Sequence, residues 1–427
     1  MFVWIVVVGG IFSFVASMGI GANDAANAFA TSVGSKTLSY RQAVVLASIF
    51  ETSGALLMGS HVTDTIRKDI ANYECFEETP YVFMYGCMWV IFSVGIWLFL
   101  ASYWEMPVST THSCVGGMIG MSIALGGPQC VSWVTIRDTF PYIGGVGGIV
   151  LSWFISPLFS GALSAVMYYG FRRGVLRHPF SSPRLHFILP TIVGTTLTIN
   201  TFFIIYKGSK GIGLDETPLS LATMVSIGIG AIGGVVTYPL VTKLKGSTTR
   251  EMTVIGEQDN RIESVFKYAQ VFTAICDAFS HGANDVANSI GPFAVIYSVY
   301  THNKLSKDTD IDGYWILAIG GVGIALGLLV YGRKITRVLG EDLCKLTPSR
   351  GVAIELSSAI IVLTGSRFSI PLSTTHCQVG ATVGVGLLDK NRVNGTVLLR
   401  TIIGWLLTCV VVGISSGCLV SQGIYSP

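Results

Sequence analysis

The sequence GANDAAN at residues 21–27 interrupts an apolar run, and it returns as GANDVAN at residues 282–288, 261 positions later. A second motif, MPVSTTH at residues 106–112, returns as IPLSTTH at residues 370–376, 264 positions later. Two motifs that recur in the same order at nearly one offset indicate an internal duplication. We therefore expect two related halves, each with a polar interruption inside apolar sequence.

The sequence surrounding the motifs is typical of a polytopic helical membrane protein. Of its 427 residues 51% are hydrophobic and 12% are charged, whereas about a quarter are charged in soluble domains. Apolar runs at residues 1–20, 81–101, 142–169 and 401–420 reach the roughly 20 residues that a membrane helix requires. The predicted fold class is all-α. A net charge of +3 without a dense basic tract gives no indication of nucleic-acid binding.

The chain divides into four segments around one polar stretch. Residues 1–136 form the first repeat half, residues 137–241 the intervening spanning helices, and residues 265–427 the second repeat half. Residues 242–264, of mixed charge and without apolar periodicity, are predicted to be a flexible cytoplasmic linker. The arginine-rich loop 171–184 lacks acidic residues, which places it in the cytoplasm.

The two Pro-x-Ser-Thr-Thr-His motifs are interpreted as helix starts that bind an oxyanion. Proline suits a first helical turn, and free N–H groups with hydroxyls at a helix N-terminus suit phosphate. The phosphate-binding candidates are Ser109, Thr110, Thr111, Ser373, Thr374 and Thr375. Alternatively, these hydroxyls only cap two tightly packed helices.

The Asn-Asp motifs supply oxygen ligands that suit hard cations such as sodium. The cation-binding candidates are Asn23, Asp24, Asn284 and Asp285. A local Asx-turn is the alternative. Because residues 11–35, 105–136, 268–300 and 368–389 contain no Lys or Arg, an anion held there needs mobile cations to screen the aspartates, unless Arg367 reaches in.

Several other polar residues lie in apolar sequence. Glu51 and Glu355 are candidates for sodium ligation or proton transfer, with structural pairing to a loop cation as the alternative. Asp277 has no acidic counterpart, because the equivalent residue of the first half is Ala16. For His112, His281 and His376, hydrogen bonding is favoured over metal binding. Cys75 and Cys130, both in loops, are a possible disulfide pair.

At these motifs the sequence resembles the PiT family of inorganic phosphate transporters, and it resembles the eukaryotic sodium-coupled members most. The segments ASIFET at residues 47–52 and IELSSA at residues 354–359 look like the family's glutamate motifs. The resemblance implies about twelve membrane segments, two inverted repeats with broken or re-entrant helices, and a homodimer. It also implies that Asn27 and Asn288 help to bind phosphate, and that Glu51 and Glu355 matter for transport.

The function implied is secondary transport, in which inward sodium movement drives uptake of inorganic phosphate across the plasma membrane without a cofactor. A proton-coupled carrier of phosphate or sulfate on the same scaffold is the alternative, because hydroxyl and amide donors bind either anion. An intramembrane enzyme with His112 or His376 as nucleophile is disfavoured, since no base and no cluster of cations accompanies either histidine.

Overall fold

The computed structural model describes residues 2–176, 181–206, 213–214, 216–247, 255–305, 313–388 and 393–426. These parts of the chain are almost entirely helical, as predicted. The helices are α1 (Val3–Asn23), α2 (Ala25–Gly34), α3 (Tyr40–Lys68), α4 (Pro80–Tyr103), α5 (Thr110–Gly126), α6 (Gly145–Phe171), α7 (Ser181–Ile205), α8 (Leu219–Ser247), α9 (Ile255–Asp285), α10 (Ala287–His302), α11 (Tyr314–Tyr331), α12 (Arg333–Arg337), α13 (Pro348–Arg367), α14 (Thr374–Leu387) and α15 (Gly395–Tyr425).

The irregular segments are short. One hairpin joins β1 (Thr135–Ile136) to β2 (Ile143–Gly144), and single 3₁₀ turns occur at Tyr73–Phe76 and Pro128–Cys130. Two π-helical turns, at Arg172–Leu176 and Val338–Asp342, follow α6 and α12 directly.

The prediction of an integral membrane protein is confirmed. Within the described residues, eight helical stretches are long and apolar enough to cross a bilayer. They are Val3–Gly34, Tyr40–Lys68, Pro80–Tyr103, Gly145–Leu176, His186–Ile205, Leu219–Pro239, Tyr314–Tyr331 and Gly395–Tyr425.

Each Asn-Asp motif interrupts a long helix for a single residue. Asp24 separates α1 from α2, and Val286 separates α9 from α10. At the first interruption the Asn27 N–H donates to the Asp24 carbonyl at 2.8 Å. This bond joins residues three apart, so the turn is tighter than that of an α-helix, whose bonds join residues four apart. The side chains of both motifs are buried, so the polar groups face protein and not lipid.

Helices of the two halves pack in a reciprocal pattern. Helix α1 lies between α4 and α11, and α9 lies between α13 and α3. A Cβ added at Gly21 would approach the carbonyl oxygen of Ile324 to 1.8 Å, and one at Gly282 would approach that of Glu51 to 2.1 Å. Glycine is therefore required at the same point of each motif, because the neighbouring helix backbone occupies the space of a side chain.

Two further expectations fall in the loops. Of the linker at residues 242–264, residues 248–254 lie outside the described part, and the remainder is helical because α8 continues to Ser247 and α9 begins at Ile255. Cys75 and Cys130 form a disulfide, with their Cα atoms 5.7 Å apart. It joins the loop after α3 to the loop after α5.

Candidate functional site

The two serines of the repeated Ser-Thr-Thr motifs cap helices. The Ser109 hydroxyl accepts a 3.3 Å hydrogen bond from the His112 N–H at the start of α5, and Ser373 accepts an equal bond from the His376 N–H at the start of α14. Each side chain satisfies one N–H group of a first turn, as N-caps do. Helix capping, which the sequence left as an alternative, is thus the observed role of the two serines. The threonine hydroxyls make other contacts.

The threonines bring the starts of α5 and α14 together. The Thr111 hydroxyl donates to the Leu372 carbonyl at 2.9 Å, and the Thr375 hydroxyl lies 3.2 Å from the Val108 carbonyl oxygen. Each motif therefore contacts the backbone of the other, in equivalent positions. A helix N-terminus carries partial positive charge. The contacts therefore bring two partial positive charges together at this point.

The carboxylate of Asp24 lies at this junction and contacts both motifs. Its Oδ2 accepts the Thr110 backbone N–H at 3.0 Å, and its Oδ1 accepts the Asn27 amide at 3.0 Å together with the Thr375 hydroxyl. The side chain is buried. A buried carboxylate needs such donors, or a cation, to offset its lost hydration.

Asp285 occupies the corresponding place in the second half. Its Oδ2 accepts the Thr374 hydroxyl at 2.5 Å and contacts Nε2 of His281 at 2.8 Å. Its Oδ1 accepts the side-chain amides of Asn284 at 2.9 Å and Asn288 at 3.3 Å. One potential ligand atom from each of Asp24, His281 and Asp285 lies within 4.8 Å of the others. The two aspartates are therefore close enough to share a group of small cations.

Asn27 and Asn288 bridge the halves in opposite directions. The Asn27 amide donates to the Thr375 hydroxyl at 2.8 Å, and the Asn288 amide donates to the Thr110 hydroxyl at 3.0 Å. The side-chain oxygens of both asparagines are buried and have no hydrogen-bond partner among the described residues. Such oxygens are free to accept a hydrogen bond from a hydrogen phosphate or to bind a cation.

Asn23 and Asn284 anchor the segments that enter the site. Asn23 accepts the Val108 N–H at 2.9 Å and donates to the Met106 carbonyl at 3.1 Å. Asn284 donates to the Leu372 carbonyl at 2.8 Å. Both side chains hold the motif backbone, and their predicted role as cation ligands stays a prediction.

Glu355 lies among uncharged donors. Its Oε1 accepts the hydroxyls of Thr31 and Ser32 at 2.5 and 2.6 Å and the Gln270 amide at 3.0 Å, and its Oε2 accepts the Thr273 hydroxyl at 2.6 Å. These donors come from α2 and α9. The sequence did not identify any of them, although all four belong to the cation-free segments that carry the motifs or to the turns beside them.

Glu51 pairs with a histidine. Its Oε2 lies 2.6 Å from Nδ1 of His281, whose Nε2 faces Asp285, so the imidazole connects two carboxylates. Both glutamates are fully buried, and the hydrogen bonds that described residues make to them come from hydroxyls, an amide and an imidazole. Pairing with a loop lysine or arginine, the alternative left open by the sequence, is therefore wrong for both.

These extra ionisable groups lie on α9 or beside it, and within the described ranges they have no equivalents around α1. Gly21 and Gly282 have Ile324 and Glu51 as their respective neighbours, so an isoleucine takes the place of Glu51 in the other half. At the offsets of the two motifs, Ile20 corresponds to His281, and Ile91 corresponds to Glu355. The asymmetry that the sequence indicated at Asp277, which is also buried, therefore extends to a whole cluster.

The remaining residues singled out by the sequence lie around the site. His376 uses Nδ1 to contact the Trp153 carbonyl at 2.9 Å, and His112 stacks on the Trp153 ring at 3.5 Å. Arg367 packs its guanidinium against the Tyr206 ring, 5.5 Å from its centroid, and thus points to α7. His281 and His376 make hydrogen bonds through Nδ1, and His281 also belongs to the group of residues that could hold a cation.

Comparison with known proteins decides the family. A family model described as "Phosphate transporter family" matches residues 20–416. The chain belongs to this phosphate transporter family. It is 33% identical over 408 residues to a putative phosphate permease of Haemophilus influenzae, covering 95% of this chain and 93% of the relative.

Members of this family from other kingdoms and one solved structure also match. The chain is 33% identical to the chloroplastic inorganic phosphate transporter 2-1 of Arabidopsis thaliana, covering 93% of this chain and 68% of that protein. A solved structure described as the sodium-dependent phosphate transporter superposes with a TM-score of 0.87 at 34% identity, covering 99% of this chain and 100% of the other. The predicted resemblance to phosphate transporters is confirmed.

Proposed function

We propose that this family member is a secondary transporter in which the inward movement of sodium ions drives uptake of inorganic phosphate across the plasma membrane. The observation that carries the proposal is the meeting of Asp24 and Asp285 at the facing starts of α5 and α14. The helix starts attract an anion, whereas the aspartates repel it. Sodium ions bound between the aspartates and the anion remove this conflict.

The roles of individual residues follow from this arrangement. The hydroxyls of Thr110, Thr111, Thr374 and Thr375, the capping residues Ser109 and Ser373, and the amides of Asn27 and Asn288 bind phosphate. The carboxylates of Asp24 and Asp285 bind sodium, together with oxygens of Asn23 and Asn284. Glu51 on α3 and Glu355 on α13 lie on two helices that pack against α9. They couple cation binding to the packing of α9. The chain acts as a transporter and not as an enzyme, with no cofactor beyond its co-transported ions.

The paired contacts also support the architecture proposed for the family member. The contact of Thr111 with Leu372 has its counterpart in that of Thr375 with Val108, as two inverted repeats would require. We propose twelve membrane segments in total and a homodimeric assembly, with the first half formed by residues 1–136 and the second by residues 265–427.

A proton-coupled carrier of phosphate or sulfate is the second candidate. The chain of contacts from Glu51 through His281 to Asp285 favours it, since an imidazole between two carboxylates can pass a proton. Both candidates place the anion at the same helix starts, so only the driving ion and the choice of anion distinguish them.

Uptake of radiolabelled phosphate by proteoliposomes, with sodium and proton gradients imposed separately, tests the proposal. We expect uptake to follow the sodium gradient and excess sulfate to compete poorly. Uptake that follows only the proton gradient would favour the second candidate, and no uptake under either gradient would contradict both.

A further inference from the structure

A cavity of about 810 Å³ lies at the end of α2 that is farther from Asp24. Tyr40 at the start of α3 lines it, whereas the other end of α3 leads to the disulfide at Cys75. The cavity therefore opens on the side of the protein opposite to the disulfide, which is the side of the arginine-rich turn after α6.

Four basic side chains line this cavity: Lys36, Arg333, Lys334 and Arg337. Arg337 lies 3.0 Å and Lys334 3.9 Å from the carboxylate of Glu105, and Glu341 also lines the cavity. The four basic side chains and the carboxylates of Glu105 and Glu341 together leave a net charge of +2 at the cavity.

The other two cations supply that excess. Lys36 and Arg333 are exposed to the cavity, and no ion pair joins either of them to a carboxylate within the part of the chain that the structure describes. Lys334 is fixed in place between the rings of Tyr103 and Tyr331, at 5.2 and 5.7 Å from their centroids. The wall is thus partly preorganised for an anion.

We propose that this cavity binds an anion with two or more phosphate groups, either the headgroup of a phosphorylated lipid or a soluble polyphosphate. Guanidinium and ammonium groups are the usual phosphate ligands, and the excess of two charges matches more than one phosphate. The cavity is also several times larger than a single phosphate ion.

A bound anion would link the end of α2 to α12. Lys36 lies two residues after the end of α2, Gly34 packs against the Gly340 backbone just after α12, and Asp24 directly precedes the opposite end of α2. An anion bound to both Lys36 and Arg333 therefore fixes the position of α2 relative to α12, and α2 begins at the transport site. The site is distinct from the aspartates, so its occupancy regulates transport without competing with phosphate.

Binding of sodium tripolyphosphate, and of nanodiscs that contain a few per cent of phosphatidylinositol bisphosphate in phosphatidylcholine, to the purified full-length protein tests this site. The Lys36→Gln/Arg333→Gln double variant is compared with an Arg41→Gln/Lys345→Gln control. The control removes two exposed cations outside the cavity. We expect the cavity variant to weaken binding of at least one probe by about tenfold or more, and the control to bind within about twofold of the wild type.

The two probes identify the source of the ligand. Loss of tripolyphosphate binding assigns a soluble anion, and loss of lipid binding alone assigns a headgroup. The proposal is overturned if the wild type binds neither probe, or if the cavity variant and the control weaken binding equally. Phosphate uptake by both variants without probe serves as a check of folding, and we expect it to equal that of the wild type.

Discussion

The side chain of Asn27 donates a 2.8 Å hydrogen bond to the hydroxyl of Thr375, a residue 348 positions away in the other half of the chain. The same hydroxyl donates to Asp24 and lies 3.2 Å from the Val108 carbonyl oxygen. Thr375 therefore connects the interrupted helix of the first half, the first Ser-Thr-Thr segment and the start of α14. Under the proposed function, phosphate binding and the junction of the halves depend on the same few atoms.

Thr375→Val tests this connection, because valine has nearly the shape of threonine but no hydroxyl. Hydrogen bonds to charged groups contribute about 1.5–3 kcal/mol, so we expect phosphate uptake to fall by about tenfold or more. Thr382→Val on the same helix is the control, since the Thr382 hydroxyl donates to the carbonyl of Gln378, a backbone group of its own helix. Equal uptake by the two variants would show that the junction hydroxyl is dispensable.

The motifs and their meeting were predictable from the sequence, because a repeated polar interruption in a membrane helix has to be buried in protein. The hydrogen-bond partners of Glu51 and Glu355 were not predictable from the sequence. Thr31 and Glu355 are 324 positions apart, and His281 and Glu51 are 230 apart, so only the packing of α2 against α13 and of α3 against α9 joins them. Periodicity carries no signal for such pairs. The helical ends of the linker were also missed, because residues 242–247 and 255–264 are charged and lack apolar periodicity.

Glu355→Gln tests the role of the buried carboxylate. Glutamine keeps the size of the side chain but removes its charge, so the four donors lose a charged acceptor, and we expect uptake to fall by roughly tenfold at an unchanged expression level. The measurement is initial uptake in proteoliposomes. Asp342→Asn, at an exposed acidic residue, is the control and should transport normally. A fully active Glu355→Gln variant would exclude a part for this carboxylate in coupling.

Gly282→Ala tests the close packing of α9 on α3. The added Cβ would meet the Glu51 carbonyl oxygen at 2.1 Å, and the backbone has to move to accommodate it. Overpacking of this kind costs typically about 1–3 kcal/mol, so we expect a clear decrease in the thermal unfolding temperature of the purified protein. Gly228→Ala on α8 introduces the same methyl group where nothing lies within 4 Å. It should leave the unfolding temperature unchanged or raise it slightly.

The disulfide between Cys75 and Cys130 has a direct chemical test. Of nine cysteines, seven are free, so denatured protein should gain seven maleimide adducts without reductant and nine after reduction, as measured by mass spectrometry. The bridge closes a loop of 55 residues, and the loop-entropy relation gives about 4 kcal/mol of stabilisation. We expect Cys75→Ser to lower the thermal unfolding temperature. Nine adducts without reductant would show that the bridge does not form.

Equilibrium binding of radiolabelled phosphate to the purified protein, in sodium and in choline, tests the central claim most directly. If sodium ions between Asp24 and Asp285 screen the anion, sodium strengthens phosphate binding by about tenfold or more, and Asp24→Asn and Asp285→Asn each abolish most of that sodium effect. Phosphate binding that is equally strong in choline, with no change in either variant, would contradict the account.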